Sequence, residues 1–112
     1  MRKIGTEAFC RCEKLKKIVF TADSRLETIG KNCFQESGLE AIEVPSAVTE
    51  ICDGTFFKCT KLCAVTFAKD SKLAKIGDNC FCESDIQTFE FPPQVREIGY
   101  GAFQYCRNLC TV

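Results

Sequence analysis

Cysteine is the residue type with the most chemical potential in this sequence. Ten of the 112 residues are cysteines, a share of about 9% that is typical of a disulfide scaffold in a short secreted chain. Metal binding is a second use for them. The chain has no histidine and no Cys-x-x-Cys motif, and its Cys-x-Cys pairs, Cys10/Cys12 and Cys80/Cys82, lie far apart in the sequence. A tetrahedral zinc site needs four ligands close together, so we expect no metal site.

The residues needed for catalysis are also missing. Without histidine, neither a Ser–His nor a Cys–His nucleophile pair can form. The seven glycines form no phosphate-binding loop motif. We therefore expect no enzyme activity, no catalytic residue and no cofactor.

The charge balance excludes further functions. The chain has fifteen basic and fifteen acidic residues, so no broad basic field favours binding to nucleic acid or to an anionic membrane. The cluster at Lys14, Lys16 and Lys17 is interpreted as a solvated patch. Apolar runs are only a few residues long, against the ~20 that span a bilayer. Residues 1–7 carry no apolar run of the kind found in secretory signals. We expect no nucleic-acid partner and no membrane insertion.

A repeat organises the whole sequence. Isoleucine is followed five residues later by phenylalanine in five places: Ile4/Phe9, Ile29/Phe34, Ile51/Phe56, Ile76/Phe81 and Ile98/Phe103. Each phenylalanine is preceded by a small residue, and another small residue follows three positions later: Cys12, Ser37, Cys59, Ser84 and Cys106. Next comes an aliphatic residue. An apolar residue follows three positions later, and a second apolar residue follows two positions after that, as in Leu39-Ile42-Val44.

The repeat spacing alternates between 25 and 22 residues, measured from one isoleucine to the next. This predicts a single solenoid over residues 4–112, with coils at 4–28, 29–50, 51–75, 76–97 and 98–112, numbered 1 to 5 below. Coils 1 and 3 end in a similar tail, Thr-Ala-Asp-Ser-Arg-Leu and Ala-Lys-Asp-Ser-Lys-Leu, whereas coils 2 and 4 have a proline turn. Glycine follows the isoleucine in four coils and is interpreted as a turn residue with unusual φ: Gly5, Gly30, Gly77 and Gly99.

The pattern predicts one parallel β-strand per coil. Ile18 and Phe20 alternate with Val19, as in a strand with one buried face. We expect strands centred near Ile18, Ile42, Val65 and Phe89, with a partial strand at Val112. The Ile-x-x-x-x-Phe segment should cross the other side as a short helical or 3₁₀ turn. The fold class is thus an α/β repeat, a leucine-rich-repeat solenoid of about five coils, with the five repeat phenylalanines in one buried ladder.

The repeat also bears on the cysteines. Cys12, Cys59 and Cys106 share a coil position, but the serines between them place them about 10 Å apart. A disulfide needs Cα atoms within about 7 Å. We interpret these three, with Cys33 and Cys80, as small buried thiols. A bond between different coil positions, such as Cys82 with Cys106, stays open.

The sequence resembles a known repeat family. The phrase Ile-Gly-x-x-Ala/Cys-Phe-x-x-Cys/Ser-x-x-Leu-x-x-Ile-x-Phe/Val-Pro is similar to the BspA-type leucine-rich repeat and extends from Ile4 to Val112. The resemblance implies a surface or secreted protein, an antigen or adhesin that binds host-cell or matrix proteins. It is specific for the repeat class and hardly specific for function.

Two functions remain in view: a protein-binding module, and an intracellular structural or scaffold repeat without an external ligand, which would be cytoplasmic. For the first, we expect the ligand on the concave strand surface, where side chains point outward in register on a rigid sheet. Its residues are Lys17, Val19, Ala41, Glu43, Ala64, Thr66, Thr88 and Glu90. Their small size favours a protein partner over a small molecule.

The ends of the repeat predict a second interaction. A solenoid end without a polar cap exposes apolar side chains and an unpaired strand edge. We therefore expect end-to-end self-association or a longer array. The alternative is that Lys16, Lys17 and Arg107 keep the edges apart.

Overall fold

Seven short parallel strands make up the regular secondary structure of the described residues. The computed structural model describes residues 2–21 and 23–109. In chain order the strands are β1 (Lys3–Ile4), β2 (Thr28–Ile29), β3 (Ala41–Val44), β4 (Glu50–Ile51), β5 (Ala64–Phe67), β6 (Lys75–Ile76) and β7 (Glu97–Ile98). They form a five-stranded sheet, in the order β1-β2-β4-β6-β7, and the separate pair β3-β5. Every pairing is parallel, and the predicted leucine-rich-repeat solenoid is confirmed.

The five-stranded sheet is a part of the fold that the sequence interpretation missed. It is built from the repeat isoleucines, so that Ile4, Ile29, Ile51, Ile76 and Ile98 pair in one continuous register. Each coil therefore has two strand positions. One of them contains the repeat isoleucine and begins the Ile-x-x-x-x-Phe segment, which we call the phenylalanine side of the solenoid.

The phenylalanine side was expected to form a short helical or 3₁₀ turn; the described residues contain no helix there, and separate hydrogen-bonded turns take its place. Backbone N–H groups there alternate between two kinds of acceptor. Ala8 and Cys10 donate to carbonyls three residues earlier, whereas Glu7 and Phe9 donate to Lys31 and Cys33 in the next coil. Since every second N–H is committed to a neighbouring coil, the segment cannot close a helix.

Positive φ angles recur at two fixed positions of this segment. The third position after the isoleucine is Glu7, Asn32, Gly54, Asn79 or Gly101, and the seventh is Arg11, Glu36, Lys58, Glu83 or Tyr105. Only glycine and, less often, asparagine adopt such angles readily. Six charged or aromatic residues adopt them as well, so the hydrogen bonds between coils impose the backbone shape.

The predicted phenylalanine ladder is confirmed. Neighbouring rings stack with centroids 5.2–5.5 Å apart from Phe9 to Phe103. Phe34, Phe56 and Phe81 are fully buried, whereas Phe9 and Phe103, at the two ends, are partly buried. The middle rings of the ladder and the first four repeat isoleucines belong to the core, together with strand-side residues such as Leu39, Ile42 and Leu62.

The cysteines behave as expected in the middle of the chain and differently at its start. Cys33, Cys59 and Cys80 are buried, Cys106 is half-buried, and Cys12 is exposed, so the burial expected for Cys12 is wrong. Cys12 lies in the first coil, with only one coil stacked beside it. Cys59 donates its thiol proton to the Phe34 carbonyl at 2.9 Å. No disulfide joins any of the nine cysteines within the described ranges.

The strands predicted near Ile18 and Phe89 do not form as such. In coil 1, only Lys17 makes a bridge, to Ala41. In coil 4, Phe89 packs edge-on against Phe67 and Phe91, and Pro92 and Pro93, which have no N–H to donate, follow directly. Thr88 is an isolated bridge residue in coil 4, and no ladder to β5 forms there among the described residues. The partial strand expected at Val112 lies outside the described residues.

Three of the glycines after the isoleucines, Gly30, Gly77 and Gly99, serve close packing, and none of the four has the unusual φ that was expected. Positive φ among the glycines occurs at Gly54 and Gly101 instead. A Cβ built on Gly30 would lie 2.6 Å from the Ile4 carbonyl oxygen of the preceding coil. A side chain at Gly30 would therefore push neighbouring coils apart.

Candidate partner-binding face

The eight residues expected to bind a partner are all exposed. They are Lys17, Val19, Ala41, Glu43, Ala64, Thr66, Thr88 and Glu90, and we call them the strand face. Along β3, exposed Ala41 and Glu43 alternate with buried Ile42 and Val44, since successive side chains of a strand point to opposite sides. Val19, exposed to 75%, is the large apolar side chain of the set.

The strand face is held in register at its centre. Ala41 pairs with Ala64 and Glu43 with Thr66 across β3 and β5. Lys17 joins the first of these columns through its bridge to Ala41. The first column is therefore mainly small, and the second carries larger and charged side chains.

The strand face forms an open trough. An open groove of about 700 Å³ is lined by Lys17, Val19, Ala41, Glu43, Ala64 and Thr66. A second depression of about 520 Å³ is lined by Ala64, Thr66, Thr88 and Glu90. The two share Ala64, Thr66 and Ala68, so the trough runs across four coils.

The walls of the trough come from residues that the sequence interpretation did not assign to the site. They belong to the loops after the strands and include Thr21, Ser24, Pro45, Ser46, Lys69, Asp70, Pro92 and Pro93. The signal was present in the sequence. The alternating coil tails, Asp-Ser-x-Leu and the proline turn, are the segments that form these walls.

Charge is distributed unevenly along the trough. Lys17 lies at the coil 1 end, Glu43 in coil 2 and Glu90 in coil 4. With about 4.8 Å between neighbouring coils, the two glutamates are roughly 10 Å apart. The walls add one charge of each sign, Asp70 and Lys69, so the trough carries a net negative charge beyond coil 1.

The buried cysteines are poor nucleophiles. Burial raises the pKa of Cys33 to about 11 and the pKa of Cys80 well above its usual value of 9.0. Burial also raises the pKa of Cys59, against the effect of its hydrogen bond with Ser37. Since the thiolate is the reactive form, these thiols are unreactive at neutral pH.

No group of three or more cysteine or carboxylate side chains is placed to hold a metal ion in residues 2–21 and 23–109. Within the same ranges, no helix is long and apolar enough to cross a membrane.

The repeat, the solenoid and the stacked rings agree with comparison to known families. A family model described as the BspA type leucine rich repeat region matches residues 1–110, in six copies. The chain belongs to the BspA-type leucine-rich repeat family. Among curated proteins, no sequence matches this chain.

Several solved bacterial proteins are similar in structure to this BspA-type chain. The pneumococcal vaccine antigen PcpA is 31% identical over 94% of this chain, with a TM-score of 0.90. A leucine-rich repeat protein of T. pallidum is 30% identical over 96%, with a TM-score of 0.88. One from Bacteroides ovatus is 31% identical over 99%, with a TM-score of 0.87.

The chain covers only part of each solved protein. It spans 26% of PcpA, 50% of the T. pallidum protein and 28% of the B. ovatus protein. Binding by those whole proteins can therefore be assigned to this chain only as a proposal.

Proposed function

We propose that this BspA-type chain is a protein-binding module of a surface adhesin or antigen, and that its ligand lies in the trough of the strand face. The observation that carries the proposal is a set of exposed side chains, held in register, which the fold does not need. Ala41, Glu43, Ala64 and Thr66 point away from the core while their strand neighbours fill it.

The shape of the trough favours a protein segment over a small molecule. Ligand pockets for small molecules bury most of the ligand's surface. Here the groove is open to solvent and extends over four coils. Val19 and the neighbouring alanines supply an apolar strip, and the glutamates supply polar specificity at its side. Protein interfaces combine an apolar centre with a polar rim in the same way.

The related structures support a surface location. PcpA, which is 31% identical to this chain, is described as a vaccine antigen. A leucine rich cell surface protein from Faecalibacterium prausnitzii is 24% identical and supports the fold alone. The proposed partners are host-cell or extracellular-matrix proteins.

The test uses reversed charge in the trough. The double variant Glu43→Lys/Glu90→Lys is compared with wild type for binding to purified extracellular-matrix proteins and to epithelial cells. We expect at least about a tenfold loss of affinity, since like charges then face the ligand's basic groups.

A matched control is built into the repeat. Glu36 and Glu83 lie in the same two coils, are separated by the same number of residues, and lie on the phenylalanine side. Lys58 occupies the equivalent position in coil 3 with the same positive φ, so lysine fits there. The variant Glu36→Lys/Glu83→Lys has the same net charge change and should bind like wild type. Equal affinity of both double variants for every ligand found would contradict the proposal.

An intracellular scaffold is the alternative function. The free thiols of the described cysteines are compatible with a reducing compartment. Antibody labelling of intact cells distinguishes the two. Staining without permeabilisation supports the adhesin, and staining after permeabilisation alone supports the scaffold.

A further inference from the structure

The middle of the trough carries carboxylates that the chain leaves without an ion pair. Coils 2, 3 and 4 contribute one each, Glu43, Asp70 and Glu90, and all three residues are exposed and line the trough. In the part of the chain that the structure describes, ion pairs form at other residues and at none of these three. Lys69 lines the same stretch, so the net charge there is negative. A partner with basic side chains is therefore complementary to the trough.

Two hydroxyl groups of the trough are also without hydrogen bonds. Thr66 and Thr88 are exposed on the strand face of coils 3 and 4 and line the trough. Among the described residues, threonine hydroxyls form hydrogen bonds at Thr49 and Thr55 and at neither of these two. A hydroxyl donates one hydrogen bond and accepts others. The trough can thus hydrogen-bond a ligand whose backbone groups are not already paired with one another.

The two strand-face glutamates set the spacing that a matching partner must have. Glu43 and Glu90 occupy the same position of the repeat in coils 2 and 4, roughly 10 Å apart. On one face of a β-strand, side chains recur at about 6.8 Å, which does not match this distance. A polyproline II helix has about three residues per turn and a rise of about 3.1 Å per residue. Its every third side chain therefore lies on one face, at intervals of about 9.3 Å, close to the distance between the glutamates.

An α-helix offers a similar spacing with a different backbone. Side chains two turns apart on one face are separated by about 10.8 Å, but the carbonyls between them are bonded within the helix. A polyproline II segment has no internal hydrogen bonds, so its carbonyls can accept from the Thr66 and Thr88 hydroxyls. The threonines therefore favour polyproline II over a helix.

On the basis of the function proposed above, we propose that the trough binds a protein segment in the polyproline II conformation, with lysine or arginine at every third position. The segment lies along the stack of coils, and successive basic side chains pair with Glu43 and Glu90. The small side chains of Ala41 and Ala64 let its backbone approach the floor of the trough. A polyproline II segment is already extended in solution, so its binding costs little conformational entropy.

The first test compares two fluorescent peptides of identical composition, each titrated with the intact chain and followed by fluorescence anisotropy. One consists of four Pro-Pro-Lys triplets. The other has its lysines in a single block, which directs them to all sides of the helix. Wild type should bind the triplet peptide about tenfold more tightly, because each of two exposed ion pairs then contributes a factor of roughly 2–5. Similar affinities for the two peptides would overturn the proposal.

An exchange of two residues tests the spacing. Thr66→Glu/Glu90→Thr keeps the composition and the net charge, and it places the second glutamate beside Glu43 in the neighbouring coil, about 4.8 Å away. The preference for the triplet peptide should then fall below about threefold. The same exchange on the phenylalanine side, Lys58→Glu/Glu83→Lys, is the matched control and should keep the preference of wild type. An unchanged preference after the exchange on the strand face would contradict the proposed register.

A third peptide tests the backbone of the partner. It is helical with lysine at every seventh position, and tighter binding of this peptide than of the triplet peptide would also overturn the proposal. Failure here and failure of the proposed function are distinguishable. If wild type shows no preference for the triplet peptide while Glu43→Lys/Glu90→Lys still loses binding to matrix proteins and cells, the polyproline II partner is wrong and the proposed function stands. If wild type prefers the triplet peptide but binds no matrix protein or cell, the peptide site stands and the adhesin function fails.

Discussion

The phenylalanine side and the strand face are built by the same coils under different constraints. On the phenylalanine side, the five-stranded sheet runs through every coil, and hydrogen bonds join neighbouring coils at every second residue. On the strand side, the described residues form a ladder only between β3 and β5. The regular side fixes the stack, which leaves the other side free to vary in charge, size and wall shape.

The largest difference is expected from truncating an apolar side chain on each side. Phe56→Ala removes a fully buried ring between two stacked neighbours and should lower the free energy of unfolding by about 3–5 kcal/mol. Val19→Ala should change it by less than about 0.5 kcal/mol, because Val19 is mostly exposed. Urea denaturation measures the free energy of unfolding of both variants. Similar losses in the two variants would contradict the expected difference between the two sides.

Alkaline pH should destabilise the phenylalanine side through its buried thiols. Burial raises the pKa of Cys33 in the folded chain to about 11, from an ordinary value of 9.0. Its contribution is fully present below pH 9 and is lost as the pH rises towards 11, because the unfolded thiol ionises first. At roughly pH 10.5 the expected loss is about 2 kcal/mol.

The chain supplies its own control for the thiol. Ala8 and Ala102 occupy the position of Cys33 in coils 1 and 5, so Cys33→Ala fits the repeat. This variant should lose less stability than wild type between pH 9 and 10.5. An unchanged pH profile would show that Cys33 ionises as readily in the folded state as in the unfolded one.

A smaller difference in stability is expected when a threonine is replaced by valine on the phenylalanine side and on the strand face. The Thr55 hydroxyl is buried, within 2.9 Å of the Gly30 carbonyl oxygen and 2.8 Å of the Cys52 carbonyl oxygen. Thr55→Val should cost about 1–2 kcal/mol. Thr66→Val, on the exposed strand face, should cost less than about 0.5 kcal/mol. Thermal unfolding compares the pair, and equal shifts would argue against a special role for the Thr55 hydroxyl.

The parts of the fold that were predictable are those with a local sequence signature. Isoleucine and phenylalanine five residues apart predicted the core ladder, and alternation around Ile42 predicted the exposed face. The five-stranded sheet was not predictable, because each of its strands is only two residues long and too short to show the alternation of a strand.

The positive φ angles are a second feature of the fold that could not be predicted from the sequence alone. Lys58 and Glu83 carry no local sign of a left-handed backbone, although Asn32, Gly54, Asn79 and Gly101 do, since asparagine and glycine favour it. In the strand face, the exposed residues could be read from their spacing. The walls could not, because they come from the irregular coil tails.

Amide hydrogen exchange, resolved by residue, tests the division between the two sides most directly. The N–H groups of Phe34, Phe56 and Phe81 donate to the next coil at 2.8–2.9 Å beneath the stacked rings. They should exchange only through global unfolding, and thus more slowly than the amides of Val19 and Glu90, which lie outside the regular strands. Equal protection on both sides, or faster exchange at the three phenylalanines, would contradict the account.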